Sequence, residues 1–526
     1  MFQQRTNLAA DLPDYRQAGG RSNLTFMLNF IDSYLNKITM YRLVLYFLIV
    51  LLGAAVIFSF FGILRFKLFD LIFSTVILLG VCWVTNKIFA YVFRVPANAE
   101  SVYITAMILA LIITPPQVGS AAYFPGLMFL FWAGVWSMAV KYIIAITGKH
   151  FFNPAAFAVA LTALAINHSA SWWVGTLWML PIVLVGGLLV VRKIQRFDLV
   201  LSFLAMALAS IIILSPSRSQ PLVLLHKVIT DTPILFFAFI MLTEPLTTPP
   251  NKLLRVAYGG LVGLIFSPAI HFGSVYSTPE LTLLVGNIFS YAVSPKVKYL
   301  LSFESKEQIG SDIYNFVFRS KRRLKFQAGQ YLEWTLGHKN SDGRGNRRYF
   351  TIASSPTEDK IYLGAKFYDE PSTFKQALRD LKVGDEVLAG QLAGEFTLPK
   401  DPDKKLAFIA GGIGITPFRS MLKYLLDKNE RREIILFYTS RTEAEVAYKE
   451  IFEQATKQLG IKIVYVITER DGYLNAETIQ TNAPDFQDRT YYISGPHSMV
   501  VAFEKTLKGL GIPRRQIKID FFPGFV

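Results

Sequence analysis

From Tyr41 to about Ala292 the chain is a succession of long apolar runs with few charges, among them Leu43–Leu64 and Leu177–Val191. Such runs cannot stay in water, and about 20 apolar residues in helical form are what a hydrocarbon core accepts. From Lys296 onward charges recur every few positions, and strand-like runs alternate with helical ones. This contrast predicts a polar arm over 1–40, a helical membrane domain over 41–293 and soluble structure over 296–400 and 401–526. The first residues are polar and lack the apolar core of a cleavable leader.

Apolar segments recur near 41–63, 69–93, 102–114, 124–146, 152–167, 175–191, 198–214, 233–243, 254–270 and 277–293, about ten helices. VYITAMILALIIT (102–114) and PILFFAFIML (233–242) are too short to span. The first ends in Thr114-Pro115-Pro116, and the second leads through Glu244-Pro245 to Thr248-Pro249-Pro250. Each is the third segment of five, a pattern that predicts a duplication with broken helices and a binding site near the midplane. Glu244 and Asn153 are the membrane-site candidates, since an ionisable side chain at the end of a broken helix is a functional position by default.

With the N-terminus inside, Lys87, Arg94, Lys149, Arg192, Lys193, Arg196, Lys252, Arg255, Lys296 and Lys298 all fall on the inner side. The outer loops hold only Arg65, Lys67, Arg218 and Lys227. This bias predicts a multi-pass plasma-membrane protein with both termini in the cytoplasm. The net charge of +16 gathers at membrane ends and across the soluble part without an aromatic-basic motif, which argues against nucleic-acid binding. Cys82 is the only cysteine, so an internal disulfide and a Cys-ligated cluster are excluded. Electrons can move in such a chain only by flavin, haem or a partner, and no metal site is expected.

Three motifs of the soluble part carry chemistry. Arg348-Tyr349-Phe350-Thr351, opening RYFTIASSP, sets a fixed cation beside an aromatic and a hydroxyl. A guanidinium grips a pyrophosphate bidentately, and an aromatic lies on a flavin ring. Gly411-Gly412-Ile413-Gly414-Ile415-Thr416-Pro417 follows an apolar strand and opens a helix, the arrangement that lets a backbone close on a pyrophosphate. Tyr492-Ile493-Ser494-Gly495-Pro496 ends a later strand. Runs before about Leu398 predict a small antiparallel barrel, and those past Lys405 a parallel open sheet.

In this order and spacing the three blocks resemble the ferredoxin–NADP reductase family over residues 296–526. The resemblance implies a FAD-binding barrel, an NADH- or NADPH-binding domain, and hydride transfer from nicotinamide to flavin. It implies that Arg348 grips the FAD pyrophosphate, Phe350 lies on the flavin, Thr351 faces its redox edge, and Ser372 and Thr373 of PSTF make a second phosphate contact. Gly411, Gly412, Gly414, Thr416 and Pro417 would hold the nicotinamide dinucleotide, and Gly495 and Pro496 would guide its ring. Ser494 stands where many members have cysteine, Phe350 where Tyr is usual, and Asp520 where a carboxylate is frequent; Phe521 or Phe525 would cover the ring. Thr468, Glu469 and Arg470 end the strand KIVYVITER, where the ribose would lie; on a strand Glu469 and Arg470 point to opposite faces, so only one would read it, the lean being to Glu469 and NADH.

GKHFFNPAAFAVAL (148–161), MLTEPLTTPP (241–250) and VGTLWMLPIVLVGGLLVVRK (174–193) resemble the flavin-bearing membrane proteins of the sodium-translocating NADH:quinone reductase and of the Rnf complex. That resemblance implies two helical repeats and flavin-borne electrons in the membrane. The family's flavin-bearing loop corresponds to 166–173 here, which lacks the acceptor Thr. Covalent FMN is therefore not expected, and a noncovalent FMN or riboflavin remains. The combined expectation is an enzyme in membrane lipid that oxidises NAD(P)H through FAD and passes electrons to quinone or an external redox protein. Two alternatives are a transporter or channel with a reductase sensor and a ferric-reductase or NADPH-oxidase-like protein. The second needs histidine pairs within helices, whereas His150, His168, His226 and His271 lie singly near helix ends.

Overall fold

The computed structural model describes residues 31–32, 34–35, 38–93, 99–146, 149–215, 220–294, 297–338 and 346–520. Most of the arm expected over 1–40 lies outside the described residues, as do Phe521 and Phe525.

The apolar region folds as helices α1 (Met40–Phe60), α2 (Leu68–Val92), α3 (Ala99–Ile112), α4 (Tyr123–Ile143), α5 (Pro154–Ile166), α6 (Leu180–Ile194), α7 (Phe197–Leu214), α8 (Pro221–Asp231), α9 (Lys252–Ile265) and α10 (Pro279–Val293). By length and composition α1, α2, α4 and α7 can cross a membrane. A fifth span results only if α8 and Ile234–Met241 count as one; that pair is bent by 66°, and its second arm ends in a π-helical turn, Phe237–Met241. The remaining helices α3, α5, α6, α9 and α10 hold only 13 to 15 residues each. In α5, Asn153 caps the start and Asn167 turns left-handed at φ 57°, leaving 13 residues. At 1.5 Å per residue that reaches only about 20 Å. α7 and α9 pack backbone to backbone: a Cβ on Gly263 would stand 2.4 Å from the carbonyl oxygen of Phe203. Small residues four apart permit that approach in a helical pair.

The soluble region holds two sheets. Strands β1 (Tyr299–Gly310), β2 (Ile313–Ser320), β3 (Tyr331–Thr335), β4 (Arg347–Thr351), β5 (Ile361–Lys366) and β6 (Glu386–Ala393) form an antiparallel sheet ordered β4-β3-β6-β1-β2-β5. Beyond the ladder, Ala353 N donates to Tyr362 O at 2.9 Å, tying the chain after β4 to β5 at the other edge. The sheet encloses an apolar core around Phe316, Phe318, Leu332, Trp334 and Phe374, the last from helix α11 (Thr373–Arg379).

The second sheet is the parallel one expected. Strands β7 (Leu406–Gly411), β8 (Ile434–Ser440), β9 (Lys462–Ile467), β10 (Thr490–Ser494) and β11 (Ile517–Ile519) lie in the order β9-β8-β7-β10-β11. Strand order reverses between β7 and β10, and such a sheet opens its ligand crevice at that switch, beyond the carboxyl ends of the strands. β7 is buried throughout, as a central parallel strand must be. Helix α12 (Thr416–Lys428) and helix α13 (His497–Gly509) follow the two strands at the switch.

Candidate functional site

Strand β4 carries the first motif. It pairs antiparallel with β3, Trp334 opposite Arg348 and Tyr331 opposite Thr351. Alternation sends Arg348 and Phe350 to one face and Arg347, Tyr349 and Thr351 to the other. On the first face the Arg348 guanidinium lies 5.3 Å from the Phe374 ring centroid, and Phe350 stacks at a tilt on the same ring at 5.9 Å. Arg348 is buried. Ser372 caps α11 by accepting from Lys375 N at 3.3 Å, and Thr373 Oγ1 bonds His338 Nε2 at 3.1 Å. Arg348, expected at the flavin pyrophosphate, and Phe350, expected on the flavin ring, thus meet on Phe374, at the start of the helix that Ser372 and Thr373 open, with His338 added. Thr351 is buried at the end of the strand.

The other face of β4 meets the apolar helical region. Tyr349 Oη donates to Glu333 Oε2 at 3.0 Å, Gln391 Nε2 donates to the same oxygen at 3.1 Å, and Arg347 lies over the ring of Tyr41 in α1 at 5.7 Å. Burial, then the Glu333 carboxylate, hold the Tyr349 phenol far above its ordinary range. Tyr349 therefore packs between the two regions.

The second motif lies where the switch point requires. β7 ends at Gly411, a short 3-10 turn covers Gly412–Ile415, and α12 opens with Thr416 and Pro417. Gly412 has φ +52°, a left-handed conformation that glycine adopts at no steric cost. A Cβ on Gly414 would stand 2.6 Å from Gly495, so the two glycine loops touch backbone to backbone. Ser494 is hydrogen-bonded in register beside Ala410, and Pro496 leads into α13. These glycines leave a cradle that any side chain would fill, which fits a dinucleotide phosphate approaching the backbone.

Ser494 Oγ donates to Asp520 Oδ2 at 2.9 Å. Burial pushes the Asp520 carboxyl up to about 7, with the Ser494 hydroxyl pulling it back in part. The two residues expected near the nicotinamide are therefore one hydrogen-bonded pair.

At the ribose end the structure departs from the expectation. β9 ends at Ile467, and residues 468–471 form one helical turn, so Glu469 and Arg470 do not alternate across a strand. Asp471 accepts from Ile467 N at 2.8 Å, which closes the turn. Arg470 pairs with Asp471 at 2.7 Å, whereas Glu469 pairs at 2.9 Å with Arg441, just past the end of β8. Arg441 gives no signal in the sequence, because its partner is 28 residues away and only the sheet brings them together.

Sequence reasoning also missed the residues that fasten the two soluble sheets. Arg419 and Ser420 of α12 donate to the carbonyls of Ala353 and Ser354, at 3.0 and 2.6 Å. Arg419 Nη2 donates to Glu358 Oε1 at 2.9 Å. The helix that begins at the glycine turn thus holds the backbone that follows Thr351. A buried Arg one turn into a helix was the signal present.

In the apolar helical region the two candidates meet. Asn153 Nδ2 donates to Glu244 Oε2 at 2.9 Å, while its amide donates to Asn287 Oδ1 at 2.8 Å. Asn287 in turn donates to Tyr258 Oη at 3.2 Å. Among the described residues no group of three His, Cys, Asp or Glu is placed to hold a metal.

Residues 408–505 match the family model described as an oxidoreductase NAD-binding domain. A flavohemoprotein of Pseudomonas putida is 31% identical over 230 residues, 41% of this chain and 57% of its own. The glycine betaine monooxygenase reductase subunit of Pseudomonas aeruginosa is 27% identical over 38% of this chain and 57% of its own. The chain spans less than two thirds of the length of these relatives. The flavohem-like FAD/NAD-binding domain of nitric oxide dioxygenase from Vibrio cholerae aligns with 43% of this chain and 98% of its own, at 21% identity and a TM-score of 0.38. The C-terminal half is a ferredoxin–NADP reductase-like unit. It is an oxidoreductase unit of the kind that uses FAD and NAD(P)H. Within this reductase unit, the residues expected at the flavin lie on β4 and α11, and those expected at the nicotinamide lie in the touching glycine loops.

Proposed function

We propose that the chain is a membrane-bound oxidoreductase that oxidises NAD(P)H in its cytoplasmic reductase unit and passes the electrons into or across the bilayer. The observation that carries this reading is β4 itself. One of its faces holds the flavin-side residues Arg348 and Phe350, and the other packs Arg347 and Tyr349 against Tyr41 of an apolar helix. One strand thus joins the cofactor side of the reductase to the apolar region.

Arg348 would bind the FAD pyrophosphate by charge-assisted bonds, and Thr351 would face the ring's redox edge. Gly411, Gly412, Gly414 and Gly495 would admit the dinucleotide phosphate. Bound FAD supplies hydride acceptance followed by one-electron release. Arg419 and Ser420 hold α12 on the backbone after Thr351, which keeps the nicotinamide side at a constant position beside the flavin side. Asp520, protonated up to about pH 7, keeps a charge away from the reacting ring.

The membrane part of the reading is that the shorter helices complete two repeats around Asn153 and Glu244, where a noncovalent flavin, FMN or riboflavin, would bind. Quinone or an external redox protein would take the electrons. Of the two nicotinamides we favour NADH, because Glu469 opposes a 2′-phosphate and neutralises Arg441. The decisive experiment counts flavins per purified chain and follows bleaching of the flavin band on mixing with NADH. A chain that purifies with no flavin, or whose flavin NADH and NADPH both fail to reduce, overturns the proposal.

A further inference from the structure

Between β2 and β3 the chain runs Lys321-Arg322-Arg323-Leu324-Lys325. Leu324 is buried in the core of the first sheet and pins the loop, while the four cations are exposed. None of the four has an ion pair among the described residues, whereas Arg319 and Lys360 on the same sheet both pair with Glu304. A run of cations that the protein does not neutralise attracts an anionic partner.

Two observations give the loop its place. β1 starts at Tyr299, shortly after α10 ends at Val293, and Leu301 pairs with Ser320. The loop therefore begins beside the point where the chain leaves its last apolar helix, with Arg322 in electrostatic reach of Tyr299. In addition, Lys325 and Gln327 form one wall of a cleft of about 600 Å³ whose other wall is Pro250 and Asn251, the entry to α9. Next along α9, Leu253 is 77% exposed, and Leu201 of the adjoining α7 is 62% exposed. Cations, a cleft of mixed lining and exposed apolar helix sides thus lie close together, the combination that a membrane edge with charged headgroups accepts. Glu395 also lines the cleft, and its Oε1 is engaged by the amide of Lys252 at 2.6 Å.

We infer that the β2–β3 loop binds the phosphodiester headgroups of anionic phospholipid at the cytoplasmic face, with Gln327 and Asn251 of the cleft as further donors. Guanidinium groups take phosphate oxygens in pairs, and each cation near an anionic surface strengthens binding about fivefold. The inference rests on the membrane reading of the N-terminal half. It adds that the reductase unit is itself seated on charged lipid, which keeps β4 against α1.

The full chain in detergent is titrated with phosphatidylglycerol, with phosphatidylcholine and with inorganic phosphate, and bound lipid is counted by native mass spectrometry. Wild type is expected to prefer phosphatidylglycerol over phosphatidylcholine by about tenfold or more. The variant K321Q/R322Q/R323Q/K325Q should lose that preference, and K321R/R322K/R323K/K325R should keep it. Dye reduction by NADH should be unchanged in both. The single variants R322Q and R323Q, each losing about fivefold, carry the test if the quadruple change does not fold. An undiminished preference in the Gln variants, or displacement of phosphatidylglycerol by millimolar inorganic phosphate, overturns the inference. Failure of the membrane reading looks different: alkaline carbonate would then strip the wild-type chain from membranes.

Discussion

Arg348 and Asp520 illustrate what single residues do here. Arg348 is buried, with its guanidinium against Phe374. Arg348→Ala removes the main cationic partner of a bound pyrophosphate, and charge-assisted bonds contribute about 1.5–3 kcal/mol each. Flavin affinity should fall about tenfold to a hundredfold, read as flavin absorbance per purified chain, with the membrane region still folded. Asp520 has a folded pKa of about 7 against an ordinary 3.8. The native state therefore holds this proton more tightly than the unfolded chain does. Its contribution is complete below about pH 4 and is lost as pH rises through 7. Asp520→Asn should match wild type at pH 4 and exceed it at pH 8 by about 1–3 kcal/mol, discounted for partial exposure. Thermal unfolding at the two pH values checks this; a variant less stable than wild type at pH 8 would contradict the assignment.

The elements that matter are turns at strand ends. The approach of the Gly414 turn to Gly495 leaves no room for a methyl group. Gly414→Ala must separate β7 and β10 at their ligand-binding ends, so KM for NAD(P)H should rise at least about tenfold, with bound flavin unchanged. Simultaneous loss of flavin would mean that the turn supports both cofactors. At the sheet's outer edge, the turn after β9 pairs Glu469 with Arg441. Glu469→Gln should raise NADPH use about tenfold, the equivalent of about 1.4 kcal/mol of lost repulsion. Arg441→Ala should lower NADPH use and leave NADH turnover unaffected; steady-state kinetics with both nucleotides decide. Neither turn follows from periodicity, because a turn of one or two residues has none to offer.

Across the whole molecule, β4 acts as a wall shared by two regions. Tyr349, Glu333 and Gln391 form a hydrogen-bonded set beneath α1, and the amide at the start of α9 bonds Glu395 of the reductase unit. This docking predicts that the reductase unit lies on the side where the cationic loops lie. A reporter fused after Val526 should therefore be active in the cytoplasm. Activity of that fusion outside the cell would overturn both the orientation and the entry of NAD(P)H from within.

Much of this was legible without coordinates, for a physical reason. Apolar runs and strand alternation act on neighbours in the chain, so the antiparallel-then-parallel order of the sheets and the two glycine turns could be read directly. Gly411–Pro417 and Ser494–Pro496 were recognisable because a backbone that approaches phosphate tolerates few residue types. Helix ends were less accessible: α6 begins at Leu180, five residues into the run read over 175–191, and continues beyond it to Ile194. Pairings over long separations were not accessible at all. Arg441 with Glu469, Arg419 with Glu358, Asn153 with Glu244 and Arg347 over Tyr41 join residues 28, 61, 91 and 306 positions apart. Local sequence carries the propensity of each strand and helix, but a buried charge or amide takes whichever partner packing brings to it, and only the tertiary structure decided those partners.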